Sequence, residues 1–140
     1  MALQNSHGST RVLIADDDPV MRTLLRSMVA KEGYDVVVVE DGREAYRILK
    51  SDSNFCAAIF DMVMPHLEGL DIVSYMRTEK RLRRIPVLMI SAERDLQLMA
   101  KSFVAGATLF LAKPFNPDQF KTTLGMLLRK QGAALTEQGI

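Results

Sequence analysis

Three kinds of residue could do chemistry together in this chain: the aspartates Asp16-Asp17-Asp18 with the separate Asp61, the serine Ser91, and the lysine Lys113 in the stretch FLAKPFNPDQF (110–120). A lysine that closes an apolar run and is followed at once by proline is held in place, and a held ammonium reaches for an anion. Carboxylates gathered at one point repel each other. They either take up protons or hold a cation, and a hard divalent ion with oxygen ligands relieves the repulsion, magnesium fitting best. A carboxylate nucleophile, a magnesium site, a hydroxyl donor and a fixed lysine are what phosphoryl transfer to aspartate requires. The plain reading of DDDP is a solvated turn and helix cap, because turns favour aspartate in any case.

These residues can act together only if the fold brings them to one place. Short β-branched runs alternate with segments of helical period: RVLIA (11–15), DVVVVE (35–40), FCAAIF (55–60), IPVLMI (85–90) and ATLFLA (107–112) read as strands. The first four are almost continuously apolar, the pattern of parallel strands covered on both faces. Helices are expected over 19–33, 41–52, 69–82, 93–106 and 116–130. Pro19 and Pro117 suit first helical turns, Asp18 and Asn116 suit caps, and Gly33 and Gly106 suit helix ends. The result is an α/β domain, a right-handed, doubly wound (βα)5 with a five-stranded parallel sheet. Ligands of such sheets sit beyond the carboxyl ends of the strands. The first strand runs into Asp16, the third into Asp61, the fourth into Ser91 and the fifth into Lys113, so all four meet at that edge. Pro114 fixes the loop after Lys113, through a bond that the sequence leaves open between cis and trans.

Composition narrows the remaining classes. At 140 residues and 48% hydrophobic the chain holds one core, and 18 basic against 17 acidic residues exclude a protein built mainly to coat nucleic acid or anionic lipid. Cys56 is the only cysteine, which rules out an intramolecular disulfide and reads as a buried apolar residue. No run approaches the ~20 apolar residues of a membrane span and the start MALQNSHGST has no signal-peptide core, so a cytoplasmic protein without membrane contact is expected. His7 and His66 lack ligand spacing, and the basic run MRTEKRLRR (76–84) reads as a solvated helix end. No nucleic-acid contact is expected of this chain alone. The nine methionines read as core filling. Residues 1–9 are expected to be a mobile tail and 132–140 a tail or linker remnant.

In order and spacing, VLIADDDPVMRTLL, AAIFDMVMPHLEGLDIV, IPVLMISA and GATLFLAKPF resemble the receiver domain of bacterial two-component response regulators, chemotaxis regulators among them, over residues 10–131. The resemblance implies a flavodoxin-like α/β fold with strand order 2-1-3-4-5 and a signalling domain rather than an enzyme, with Asp61 as phosphoacceptor and Mg2+ held by Asp16, Asp17, Asp61 and the Val63 carbonyl. It further implies that Ser91 and Lys113 bind phosphoryl oxygens, and that Phe110 turns inward when Ser91 is drawn to the phosphate. Met64, Pro65 and Gly69 would shape the following turn. Ser91 stands where threonine is commoner and keeps the hydroxyl; Phe110 stands where tyrosine is frequent, so packing alone must carry its signal. Implied partners are a sensor histidine kinase or phosphotransfer protein, and a downstream effector protein or domain. The kinase, the pathway, and whether the receiver stands alone or belongs to a larger regulator stay open.

Two rival readings share parts of this pattern. An aspartate-nucleophile phosphohydrolase would place its nucleophile in the first strand and carry a cap that these short loops lack. A receiver-like binding module that is never phosphorylated would have no use for the full set of site residues. Output is expected on the fourth helix, fifth strand and fifth helix. There Leu96, Met99, Ala100, Phe103 and Val104 share a stripe expected to pack on the sheet, with Leu98 exposed.

Overall fold

A computed structural model of the chain describes residues 9–64, 66–92 and 96–139, with side chains as far as residue 129. Most of the N-terminal tail, with His7, and Pro65 lie outside the described residues. The elements alternate strictly: β1 (Arg11–Ala15), α1 (Pro19–Lys31), β2 (Asp35–Val39), α2 (Gly42–Ser51), β3 (Ala57–Asp61), α3 (Gly69–Thr78), β4 (Val87–Ser91), α4 (Leu96–Ala105), β5 (Leu109–Ala112) and α5 (Pro117–Gly139). All neighbouring strands are parallel, in the order β2-β1-β3-β4-β5. This is the expected doubly wound arrangement.

Alternate residues of the strands feed two cores. Leu13, Ala58, Phe60 and Met89 face α2 and α3, where they meet Ala45, Leu49, Ile72, Val73 and Met76. Val12, Ile14, Ile59, Leu88 and Ile90 face the other way, onto Leu25 and Val29 of α1 and Phe120, Leu124 and Leu127 of α5. Burying each valine, leucine, isoleucine, phenylalanine or methionine among them contributes about 1.5–3 kcal/mol. β1, β3 and β4 are accordingly buried, but β2 is only half-buried despite its continuous valines, because it forms one edge of the sheet.

The helix ends follow local chemistry. Asp18 caps α1 by accepting from Val20 N at 3.0 Å, and Asn116 and Gln119 exchange side-chain bonds with each other's backbone N–H at 2.8 Å in a reciprocal cap for α5. Gly33 and Gly106 follow α1 and α4 with φ of 93° and 119°, a region that favours glycine. Cys56 is buried and unpaired, and burial pushes its thiol pKa up to about 11. Met62, Met64, Met76 and Met89 fill the core, whereas Met126 is exposed. α5 continues to Gly139, past Lys130 where the pattern placed its end; Ala133, Ala134 and Leu135 are strong helix formers and no proline interrupts them.

Two expectations are overturned. α4 is rotated so that Ser102 is fully buried and Leu98 packs against the core, while Leu96, Phe103 and Val104 face solvent at 76%, 44% and 88% exposure. Ser102 tolerates burial because its hydroxyl donates to the Met99 carbonyl at 2.7 Å. The basic run after Met76 is not merely a solvated helix end either. α3 stops at Thr78, and the arginines beyond and beside it bond to backbone: Arg77 to the Gly106 and Arg83 carbonyls, Arg81 to that of Lys50, and Arg84 to those of Ser53 and Phe55.

Candidate functional site

Parallel pairing in register lines up the carboxyl ends of the strands. Ala15 stands beside Phe60, Asp61 beside Ile90, and Ser91 beside Ala112, so the residues at or just after these positions form one row: Asp16, Asp61, Ser91 and Lys113. The row expected from the sequence is therefore brought together. Asp16 is 1% exposed, Asp61 8% and Ser91 1%, which places three polar side chains inside the protein at this edge. Asp17 is exposed, yet one carboxylate oxygen from each of Asp16, Asp17 and Asp61 lies within 4.8 Å of the others.

Lys113 spans the cluster, its Nζ 3.5 Å from Asp16 Oδ2 and 3.5 Å from Asp61 Oδ2. It is carried there by backbone pairing, since Lys113 N donates to the Ser91 carbonyl at 2.7 Å, and the Lys113–Pro114 bond is cis. Burial pushes the pKa of Asp61 up, the charge of Asp16 adds to this, and Lys113 and the Val63 N–H oppose it. For Asp16, burial again raises the pKa, against the Asp18 N–H and Lys113. One ammonium does not neutralise three crowded carboxylates, and the buried Asp16 Oδ2 has no hydrogen-bond partner. A buried carboxylate oxygen held only by a 3.5 Å ion pair, with two further carboxylates beside it, belongs to a donor set suited to a hard divalent cation.

The backbone around the cluster is held from several sides. Asp18 N donates to Asp16 Oδ1 at 2.9 Å and Val63 N to Asp61 Oδ1 at 3.2 Å. Gly69 passes so close to β3 that a Cβ there would lie 2.5 Å from the Asp61 carbonyl oxygen, so no larger residue fits without moving the loop. Phe110 is half-buried against the core on the α2–α3 side, paired across the strands with Met89. Val63 is 60% exposed at the rim, and His66 lies beyond it with φ 71°.

One supporting residue was not found by reading the sequence. Arg22, on the first turns of α1, donates from Nη1 to the Asp16 carbonyl at 2.8 Å and lies 3.8 Å from Glu40, tying the acidic loop to the end of β2. The only signal for it is an arginine four residues after the Asp18 cap, and such spacing is too common to single it out.

A doubly wound sheet carries at its carboxyl edge an acidic cluster suited to a cation, with a lysine beside it. The profile of the response regulator receiver domain matches residues 12–125, and the chain belongs to that family. Chemotaxis protein CheY1 of Helicobacter pylori is 32% identical over 119 residues, 84% of this chain and 96% of that protein. Among solved structures, chemotaxis response regulator CheY4 of Vibrio cholerae superposes with a TM-score of 0.79 at 31% identity, over 86% of this chain and 99% of that one. The receiver domain of a sensor histidine kinase from Pseudomonas aeruginosa, solved with a magnesium ion coordinated in its active-site cleft, gives 0.77 at 27% identity over 86% and 98%. The protein is thus a receiver of two-component signalling rather than a catalytic enzyme, and its family implies a histidine kinase as partner. Among the described residues no helix is long and apolar enough to cross a membrane.

Proposed function

We propose that Asp61 is the residue phosphorylated, with Asp16, Asp17, Asp61 and the Val63 carbonyl holding Mg2+ and with Ser91 and Lys113 binding the phosphoryl oxygens. The observation that carries this reading is the position of Lys113 Nζ, 3.5 Å from both Asp16 and Asp61 at the end of the sheet's central strand. An Asp61 carboxylate oxygen attacks the phosphorus of a phosphohistidine on the kinase or a phosphotransfer protein. The P–N bond breaks, and its electron pair leaves with the imidazole. Lys113, already beside Asp61, offsets the charge of the phosphoryl group in a site where low exposure strengthens the attraction. The Val63 N–H bond keeps the other carboxylate oxygen oriented. Magnesium, when bound, neutralises oxygens of the phosphoryl group and of the carboxylates around it.

Output follows from the same row. Ser91 drawn toward the phosphoryl group vacates space toward β5, and Phe110 moves into it. The face beside Phe110 is that of α4, β5 and α5, and the exposed Leu96, Phe103 and Val104 give it an apolar surface for an effector protein or domain. The test is incubation with Mg2+ and acetyl phosphate followed by intact-mass analysis and peptide mapping. One phosphoryl group on Asp61, lost entirely in Asp61→Asn, is expected; stoichiometric modification of Asp16 or Asp17 instead would overturn the assignment.

A further inference from the structure

Away from the carboxyl edge, the charges are unevenly spread. Arg43, Arg47 and Lys50 recur on α2 at i, i+4 and i+7, one stripe of the helix, and all three are exposed. Beside the stripe lies Tyr46, half-buried and part of neither core. Its ring meets that of Tyr75 on α3 edge to face, with centroids 4.7 Å apart, and Lys50 Nζ lies 5.5 Å from its centroid. Arg81 completes the surface, donating from Nη2 to the Lys50 carbonyl at 2.9 Å and to the Tyr75 hydroxyl at 3.4 Å. Four cations and two tyrosines are therefore contiguous across α2 and the end of α3.

These cations are only weakly balanced locally, Arg43 by the nearby charge of Asp41. Among the described residues Arg43, Arg47 and Lys50 form no ion pair, and Arg81 reaches only Glu79, at 3.9 Å. In a chain of 18 basic and 17 acidic residues, three exposed cations without an ion pair on one helix stripe are a local excess of positive charge. The geometry points to α2 and the end of α3 as a docking surface for an acidic protein segment. Arg43, Arg47, Lys50 and Arg81 meet its carboxylates, and an apolar side chain of the segment packs on the outer edge of the half-buried Tyr46–Tyr75 pair. Tyrosine and arginine are the residue types enriched where protein interfaces concentrate their affinity, and the positive field selects an acidic partner. The stripe spans about 10 Å, two turns of helix, which suits a short acidic helix or loop. Single-stranded nucleic acid fits less well, because base stacking needs an open ring face and Tyr46 is already engaged by Tyr75 and Lys50. This surface is separate from the α4–β5–α5 face and does not depend on which aspartate is phosphorylated.

The experiment is an NMR titration of the full chain with a peptide alternating glutamate and leucine, with oligothymidylate and polyglutamate as comparison probes. Shifts confined to α2 and residues 75–81 are expected, with affinity for the alternating peptide falling at least about tenfold in Arg47→Glu/Lys50→Glu and in Tyr46→Ala. Lys101→Glu, an exposed cation on α4, is expected to change nothing. Stronger binding of oligothymidylate at the same residues would replace the protein reading with a nucleic-acid one. Absence of shifts on α2, or equal loss with Lys101→Glu, would overturn the surface altogether.

Discussion

The two edges of the sheet solve opposite problems with the same kinds of side chain. At the amino edge the charged side chains have hydrogen-bond partners: Arg11 Nη1 lies 2.9 Å from Asp52 and 3.0 Å from the Asn54 carbonyl, with its guanidinium over the Phe55 ring. Thr10 donates to Asp35 at 3.1 Å, and Arg84 bonds the Ser53 and Phe55 carbonyls. At the carboxyl edge three carboxylates crowd one lysine, and a buried oxygen of Asp16 has no hydrogen bond. The first edge holds the chain together. The second crowds like charges at one point, an arrangement suited to receiving a divalent cation.

Removing one crowded carboxylate should break this contrast most sharply. Asp16→Asn is expected to weaken Mg2+ binding by about ten- to a hundredfold in calorimetric titration. The same variant without metal should melt a few degrees higher than the parent, because a buried charge is gone and its volume is kept. A lower melting temperature would mean that Asp16 is held by attraction to Lys113 rather than crowded by its neighbours.

At the opposite edge, Arg84→Ala should cost about 2 kcal/mol in urea unfolding, since two carbonyls lose their donor. Phosphorylation of Asp61 should proceed unchanged. An unaltered midpoint would show that water replaces the guanidinium without loss, and the edges would then differ less than their geometry suggests.

The smallest effect is the pH dependence of the metal-free protein. Asp16 and Asp61 have pKa values raised above the ordinary 3.8, so the folded state binds protons more tightly than the unfolded one. Their contribution to stability is present below pH 3.8 and is lost as the pH rises through the folded values. The loss is superimposed on the opposite trend of carboxylates whose pKa is lowered on folding, such as Asp41 and Asp52. Comparing unfolding curves of parent and Asp61→Asn across this range isolates it; parallel curves would show that Asp61 is not perturbed.

Strand and helix order, the caps at Asp18 and Asn116, the helix ends at Gly33 and Gly106 and the row of Asp16, Asp61, Ser91 and Lys113 were all legible in the sequence. Each depends on local chemistry or on the period of apolar residues, and parallel βα connections leave few ways to arrange five such units. The phase of α4 was not legible. Periodicity counts Ser102 as polar and Phe103 as apolar, but the hydroxyl of Ser102 bonds to its own helix and needs no water, so the helix buries Leu98 and Ser102 and exposes Leu96, Phe103 and Val104. The half-burial of β2 required knowing which strand stands at the edge, and the bonds of Arg22, Arg77, Arg81 and Arg84 required knowing which carbonyls come within reach. The sequence determined which residues meet at the carboxyl edge, because their positions at the strand ends fix that meeting. Which side of a helix faces the core, and what a long cationic side chain touches, only the tertiary structure decided, because both depend on neighbours far away along the chain.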